Sequence, residues 1–367
     1  MKYQVGLVGL RRGEGLTRAL ATHPQVKIAA LCDIKKDVVA AMGQEFNLPD
    51  NRLFTNFDDF VNIPLDIVVI ATPIEFHAYQ TIASLEAGKH VLCEHTPAYT
   101  IEDCERIVNT VRRTGKTYML AENSSYLQYI REFKRIIDAG KLGEIYYAEG
   151  EYVHDIAYLL IDPETGDRLW RYTRAPIWYC VHCLGPLLML MNDRVVKATG
   201  ASTGNHTYPN ESIAFIDMEV GLFQTEKKAV IKILRSQVAK RYPPYLEFHS
   251  LYGTQGFVEN GRTSRANKGL LYIEGEMAQE SAGERSAAGA QVIDCPWVDP
   301  NAPPEALSGG HGTSEYYMVR DFIEALNNNV RPPHDVIRAM DYTVPGIVAH
   351  EAAMKGGVWL DVPQFNW

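Results

Sequence analysis

At 367 residues, 46% hydrophobic and 22% charged, the chain has a globular make-up and the length of two domains. A net charge of −9 with no run of basic residues argues against nucleic acid and anionic membrane surfaces as partners. No apolar stretch reaches the ~20 residues of a spanning helix, so no membrane association is expected. The six cysteines, at 32, 93, 104, 180, 183 and 295, are scattered rather than laid out as a disulfide framework. A strand pattern begins at Tyr3 with no signal peptide ahead of it, and a cytoplasmic location is expected.

From residue 3 to about 123, short apolar runs alternate with amphipathic segments. Strands are predicted at Val5–Leu10, Val26–Cys32, Ile67–Ala71, His90–Cys93 and Thr117–Ala121. Helices are predicted at Gly15–Thr22, Lys36–Phe46, His77–Gly88 and Ile101–Thr114. Such alternation implies a parallel, doubly wound sheet with its ligand at the carboxyl ends of the strands. The first turn, Gly9-Leu-Arg11-Arg12-Gly13-Glu-Gly15, stands where a dinucleotide fold places its phosphate loop, although Arg11 occupies the position of the second glycine. The next strand ends in Asp33, 24 residues after Gly9, where an acid can hold both ribose hydroxyls and repel a 2′-phosphate. NAD is therefore expected over NADP, a preference that Lys35 and Lys36 soften. Later strand ends carry Thr72, Pro73 and His77, then Glu94 and His95, then Glu122 and Asn123, all facing the same candidate cofactor crevice.

Farther along, Glu149, Glu151 and Val153 share one face of a predicted strand, with His154 opposite. The face with Glu149 either lines a substrate pocket or carries solvated charge. Tyr179-Cys-Val-His182-Cys-Leu-Gly-Pro186 then sets a phenol and an imidazole three residues apart, ahead of an apolar run read as the first buried turn of a helix. The pair can move protons on a polar substrate, or it can be a packed helix end with Tyr179 against Trp178. Cys180 and Cys183 have C-x-x-C spacing, but no second pair completes a zinc site, so they read as half-buried thiols. A metal on His154, Asp155 and His182 is the weaker alternative to a site with no metal.

Several of these segments together resemble the Gfo/Idh/MocA family of NAD(P)-dependent sugar oxidoreductases. They are Ala71-Thr72-Pro73 with His77, Ala87 through Glu94, Leu142-Gly-Glu-Ile145, Gly253-Thr-Gln-Gly256 and Asp321-Phe-Ile-Glu-Ala325. The resemblance implies an α/β protein with an N-terminal Rossmann sheet (residues 1–123) and a C-terminal α+β domain (residues 124–367). The second domain would carry a large, mostly antiparallel open sheet and serve substrate binding and assembly as a homodimer or homotetramer. The family's usual Lys is replaced by His95, the following Pro by Thr96, and its Asp by Trp178, while its His is kept as His182.

Tyr179-x-x-His182-x-Leu-Gly-Pro186 is similar to the motif of a glycosidase branch of that family acting on α-N-acetylgalactosaminides. Gly310-His311-Gly312 resembles a substrate-side segment of the branch, and Arg171 falls at a substrate-contacting position. That resemblance implies transient oxidation of a sugar carbon, C3, by NAD⁺, proton removal from C2 and loss of the aglycone from C1. Tyr179 is the expected base for C2–H, His182 the group that deprotonates the oxidised hydroxyl, and His95 its partner. A plain sugar or polyol dehydrogenase and a non-catalytic, cofactor-binding regulator are the competing readings.

Overall fold

The computed structural model describes residues 2–241, 245–262, 268–275 and 289–367. Two compact units emerge, each discontinuous in sequence. The first is Met1–Tyr126, Val298–Met340 and Phe365–Trp367; the second is Leu127–Trp297 and Asp341–Gln364. Where the sequence suggested a single boundary near residue 123, the chain thus returns to its first unit twice.

In the first unit, β1 (Tyr3–Val8), α1 (Leu10–Thr22), β2 (Val26–Cys32), α2 (Lys36–Glu45), β3 (Leu53–Phe54) and α3 (Phe57–Val61) form the first half-sheet. The second half follows with β4 (Ile67–Ile70), α4 (His77–Glu86), β5 (His90–Cys93), α5 (Ile101–Thr114) and β6 (Tyr118–Leu120). All pairings are parallel, in the order β3-β2-β1-β4-β5-β6. The central strands are continuous runs of buried Val, Ile and Leu, as a parallel sheet covered on both faces requires. Local signals agree with the outcome in α5. Thr100 caps its amino end by accepting from Asp103 N (3.1 Å), acids fill its first turn, Arg112 and Arg113 its last, and Gly115 at φ 64° ends it.

The second unit begins with α6 (Gln128–Asp138), β7 (Ile145–His154), α7 (Val181–Met191), β8 (Val195–Ser202), β9 (Glu219–Thr225) and β10 (Val230–Ser236). It continues with β11 (Tyr245–Gly253), β12 (Gly256–Asn260), β13 (Lys268–Ile273) and β14 (Gln291–Asp294). The chain then supplies α8 (Ser314–Asn328) to the first unit, α9 (Val336–Met354) across the unit border, and β15 (Leu360–Asp361) to the second. Among the described residues the second sheet has nine strands, β14-β13-β12-β11-β7-β10-β9-β8-β15, with only the β7–β10 pair parallel. This is the α/β architecture expected, a Rossmann sheet plus a large, mostly antiparallel one.

Two helix starts differ from expectation. α1 begins at Leu10 rather than Gly15, because Gly9 alone makes the turn at φ 87°. α7 begins at Val181, so His182 lies inside its first turn and Leu187 well along it. α7 is buried from Val181 onward along nearly its whole length, so the apolar run that suggested the later start lies inside the helix.

Candidate active site

The cofactor side belongs to the first unit. A Cβ on Gly9 would stand 2.5 Å from the Ala71 carbonyl and from Thr72 N, and one on Gly13 would stand 3.1 Å from Ala71 Cβ. Only glycine lets this turn press on the end of β4, which leaves the amino end of α1 as a phosphate-binding position. Asp33 fixes the turn from β2: Leu10 N donates to Oδ2 (2.8 Å) and Lys35 N to Oδ1 (3.0 Å). Each oxygen keeps acceptor capacity for a ribose hydroxyl. Arg11 is exposed on the first turn of α1.

At the other strand ends, Thr72 Oγ1 donates to Gln80 Oε1 (2.6 Å), and Pro73 opens the short turn into α4. The buried His77 ring spans the carbonyls of Thr72 (Nε2, 2.8 Å) and Thr96 (Nδ1, 2.7 Å). Burial lowers its pKa against the pull of both carbonyls. His77 therefore staples two strand ends together. Asn123 is buried with Oδ1 lacking a partner among the described residues, an acceptor suited to an amide donor such as a nicotinamide carboxamide. The glycine cradle, the Asp33 carboxylate and this open acceptor fit an NAD molecule.

A charged cluster adjoins these groups. Burial would raise the Glu94 carboxyl, but Arg12 (3.4 Å) and then His95, His311 and His77 outweigh it and hold it at about 2. His95 Nε2 lies 3.5 Å from Arg12 Nη2, and its Nδ1–H donates to Ala121 O (3.1 Å). His311, which the resemblance put on the substrate side, belongs to this unit. Its Nδ1 is 2.5 Å from Glu315 Oε1, and its backbone N donates to Oε2 (3.1 Å). Burial works against its proton, but Glu315 prevails and raises its pKa. Sequence reasoning named Glu122 with Asn123 at the last strand end but gave it no role. Burial pushes this carboxyl up to about 7, against the lowering effect of His95 and the Ser124 backbone N–H.

In the second unit, Tyr179 closes a short 3-10 turn (Pro176–Tyr179) ahead of α7. The His182 ring is 5.0 Å from Tyr179, edge-on, and 5.0 Å from Tyr152 of β7, stacked at 26°. Tyr152 is a residue the sequence did not single out, although period-2 alternation places it on the face of His154. Pro186 has no N–H for the His182 carbonyl four residues back; His249 Nε2, 3.0 Å away, donates to it instead. Burial holds His249 near pKa 4, hence neutral, so its Nδ1 accepts from Tyr129 OH (2.9 Å). The Tyr179 turn is anchored by Glu219, which accepts from Ile177 N (2.9 Å) and meets His350 Nδ1 (2.7 Å). Trp178 packs edge-on to His350 at 5.5 Å.

Arg171 lies over the Trp170 ring, 4.0 Å from its centroid. Glu149 is not brought together with Tyr179 and His182. It points from the other face of β7, paired with Lys232 (2.9 Å) and Arg262 (3.3 Å) and accepting from Tyr147 OH (2.5 Å). Burial raises its pKa, but Tyr147 and Lys232 outweigh that and lower it. Cys180 and Cys183 are buried packing thiols: a Cβ on Gly346 would stand 2.6 Å from Cys180 Sγ, and one on Gly150 2.7 Å from Cys183 Cβ.

Comparison with known proteins agrees with both halves. Residues 3–122 match the oxidoreductase family model for an NAD-binding Rossmann fold, and residues 126–367 match the C-terminal domain of glycosyl hydrolase 109. A glycosyl hydrolase family 109 protein of Streptomyces niveus is 27% identical over 99% of this chain and 77% of its own length. Another from Shewanella putrefaciens is 25% identical over 99% of this chain and 85% of its own. Among solved structures, levoglucosan dehydrogenase with NADH and L-sorbose superposes with a TM-score of 0.83 at 19% identity over the whole of both chains. An oxidoreductase domain protein of Kribbella flavida gives 0.81 at 18%, covering 99% of this chain and all of its own. The chain belongs to glycosyl hydrolase family 109, with that family's C-terminal domain joined to an NAD-binding Rossmann domain.

Proposed function

We propose that this NAD-dependent, sugar-acting enzyme cleaves a glycoside by redox-assisted elimination, with no net oxidation of its substrate. The observation that carries the reading is the Tyr179–His182–Tyr152 ring cluster of the second unit. It offers proton carriers where the related oxidoreductases are expected to use Lys and Asp. The Gly9–Gly13 turn, Asp33 and Asn123 would hold NAD, which would supply a reversible two-electron oxidation at a sugar carbon, C3 in our reading. His182 takes the proton of the hydroxyl being oxidised, and His95 is a second proton carrier through Nε2. With a ketone next to it, C2–H becomes acidic enough for a phenolate base to remove; the aglycone leaves from C1, water adds across the C1–C2 bond, and return of the two electrons to C3 restores the hydroxyl. Tyr179 is our first candidate for that base, Tyr152 the second, and Arg171 a sugar contact. A cytoplasmic homodimer or homotetramer belongs to the same reading and is checked by light scattering.

A panel of p-nitrophenyl glycosides and free sugars, with aglycone and NADH read together, tests the proposal. Released aglycone without accumulating NADH supports it. Stoichiometric NADH without cleavage means a dehydrogenase, and neither signal with NAD bound means a regulator. Tyr179→Phe should lose about 10²–10⁴-fold in cleavage, the usual worth of a general base, while keeping its NAD. Full activity in that variant, with loss in Tyr152→Phe, moves the base to Tyr152.

A further inference from the structure

Two arginines are buried in the second unit, Arg174 at 1% exposure and Arg235 at 0%. Among the described residues no carboxylate pairs with either. Arg235 donates only to carbonyls, those of Tyr179 (3.2 Å), Tyr152 (2.9 Å) and Ser236 (2.5 Å), and its Nη2 has no partner. Arg174 donates through Nη2 to the amide oxygen of Gln237 (2.8 Å), and its Nε has no partner. Guanidinium groups remain protonated in proteins, so two like charges are buried close together, and Glu219, cross-strand from Arg235, is engaged with Ile177 N and His350 instead. Such an arrangement is costly unless an anion forms beside it.

The neighbours able to become that anion are two phenols. The Arg174 guanidinium carbon lies 4.2 Å from the Tyr179 ring centroid. That of Arg235 lies 4.3 Å from Tyr152 and 5.3 Å from Tyr179. We propose that Arg174 and Arg235 are positioning residues that hold the Tyr152–Tyr179 pair as a single shared phenolate at neutral pH, making one ring the ready base. This rests on the function proposed above for the ring cluster.

The other groups around the cluster agree. Arg235 itself is lowered to about 10, first by burial and then by Arg174, while Tyr152, Cys183 and Tyr179 work to keep its charge. His154, farther along β7, is lowered to about 4 by burial, then by Arg235 and by Arg171, with Asp155 opposing. The same positive field that keeps His154 neutral favours an anionic phenol. His182 stacks on Tyr152, and the phenol proton is released to solvent, which leaves the imidazole for the sugar hydroxyl. An opposite charge within ~4–6 Å shifts an acid's titration by about one to three pH units. Both guanidinium groups lie within 5.3 Å of these ring centroids and favour the anionic phenol, against burial, which favours the neutral one.

The test is a tyrosinate difference-absorbance titration of the intact, NAD-loaded protein and of Tyr152→Phe, Tyr179→Phe, Arg174→Met, Arg174→Lys and Arg235→Lys. One phenol should titrate near neutrality in the native protein. Its signal should vanish in one of the two Phe variants, move up by at least one pH unit in Arg174→Met, and largely return in Arg174→Lys. The alkaline-going limb of the pH–cleavage profile should move with it. If every phenol of the native protein titrates in its ordinary range, the proposal fails, and that result needs no Arg variant to fold. A low-titrating phenol in a protein that cleaves no glycoside would leave the arginine assignment standing and overturn the proposed function instead.

Discussion

At the scale of single residues, burial and charge decide more than residue type. Glu122 and Glu94 stand near each other at neighbouring strand ends, yet burial pushes one up to about 7 while Arg12 and three imidazoles overcome burial and hold the other at about 2. A carboxyl raised on folding keeps a proton that the unfolded chain releases at ~4.3, so its own contribution to stability is greatest at low pH and is lost as pH rises through 7. Glu122→Gln should therefore raise the thermal midpoint at pH 8 and leave it unchanged near pH 4. The upper bound is roughly 3 kcal/mol for a displacement of this size, and thermal scans at both pH values will check it. Asp33 is placed by its hydrogen bonds to Leu10 N and Lys35 N, and we propose it for the ribose. Asp33→Ala removes an acceptor from Leu10 N as well as from the ribose, and should weaken NAD by about 10–100-fold in a calorimetric titration, with the preference over NADP reduced. The sequence marked Asp33 by its distance from Gly9, but nothing in it distinguished Glu122 from Glu94, because the difference is how many cations surround each.

At the scale of elements, the start of α7 shows how a helix is tied to the sheet it crosses. Pro186 frees the His182 carbonyl, and His249 of β11 takes it, with Tyr129 of α6 behind. His249→Phe strands a buried carbonyl and a phenol hydroxyl, an expected loss of about 1–3 kcal/mol in denaturant unfolding. Pro186→Ala supplies the missing N–H within the helix. The double variant should thus lose less than the sum of the singles, and a double-mutant cycle measures the difference. The motif was legible as Tyr179, His182 and Pro186, but its supports were not. His249 is 67 residues from His182, and Glu219 is 42 from Ile177. Period-2 alternation did separate Glu149 from His154, yet it could not say which face of β7 received α7.

At the scale of the whole molecule, the first unit needs the far end of its sequence. Met318, Val319, Phe322 and Ile323 of α8 are buried in the same core as Leu10, Leu16 and Leu20 of α1. Burial of each such side chain contributes ~1.5–3 kcal/mol, and together they rival the ~5–15 kcal/mol that holds a domain folded. A fragment of residues 1–126 should accordingly fail to give a cooperative thermal transition, which circular dichroism will show. Acid should unfold the protein as well. Burial holds His249 and His154 near pKa 4 and His334 near 3, whereas an unfolded imidazole binds its proton at ~6.5. The unfolded chain then carries more protons between those values, so stability falls as pH drops from ~6.5 to ~4. Fully buried His249 alone accounts for roughly 3 kcal/mol of that loss, and the thermal midpoint should drop steeply across the window.

What the sequence determined by itself is everything local. Strand–helix alternation, the Gly9 turn, the acid at residue 33 and the Tyr179–His182 spacing all rest on patterns acting over a few residues, and they were sufficient to identify a nucleotide-binding sheet and to single out Tyr179 and His182 as a candidate pair. Tertiary structure alone decided which groups share a field. Tyr152, Arg174, Arg235 and Glu122 draw their properties from neighbours distant in sequence, because burial and Coulomb interactions depend on separation in space.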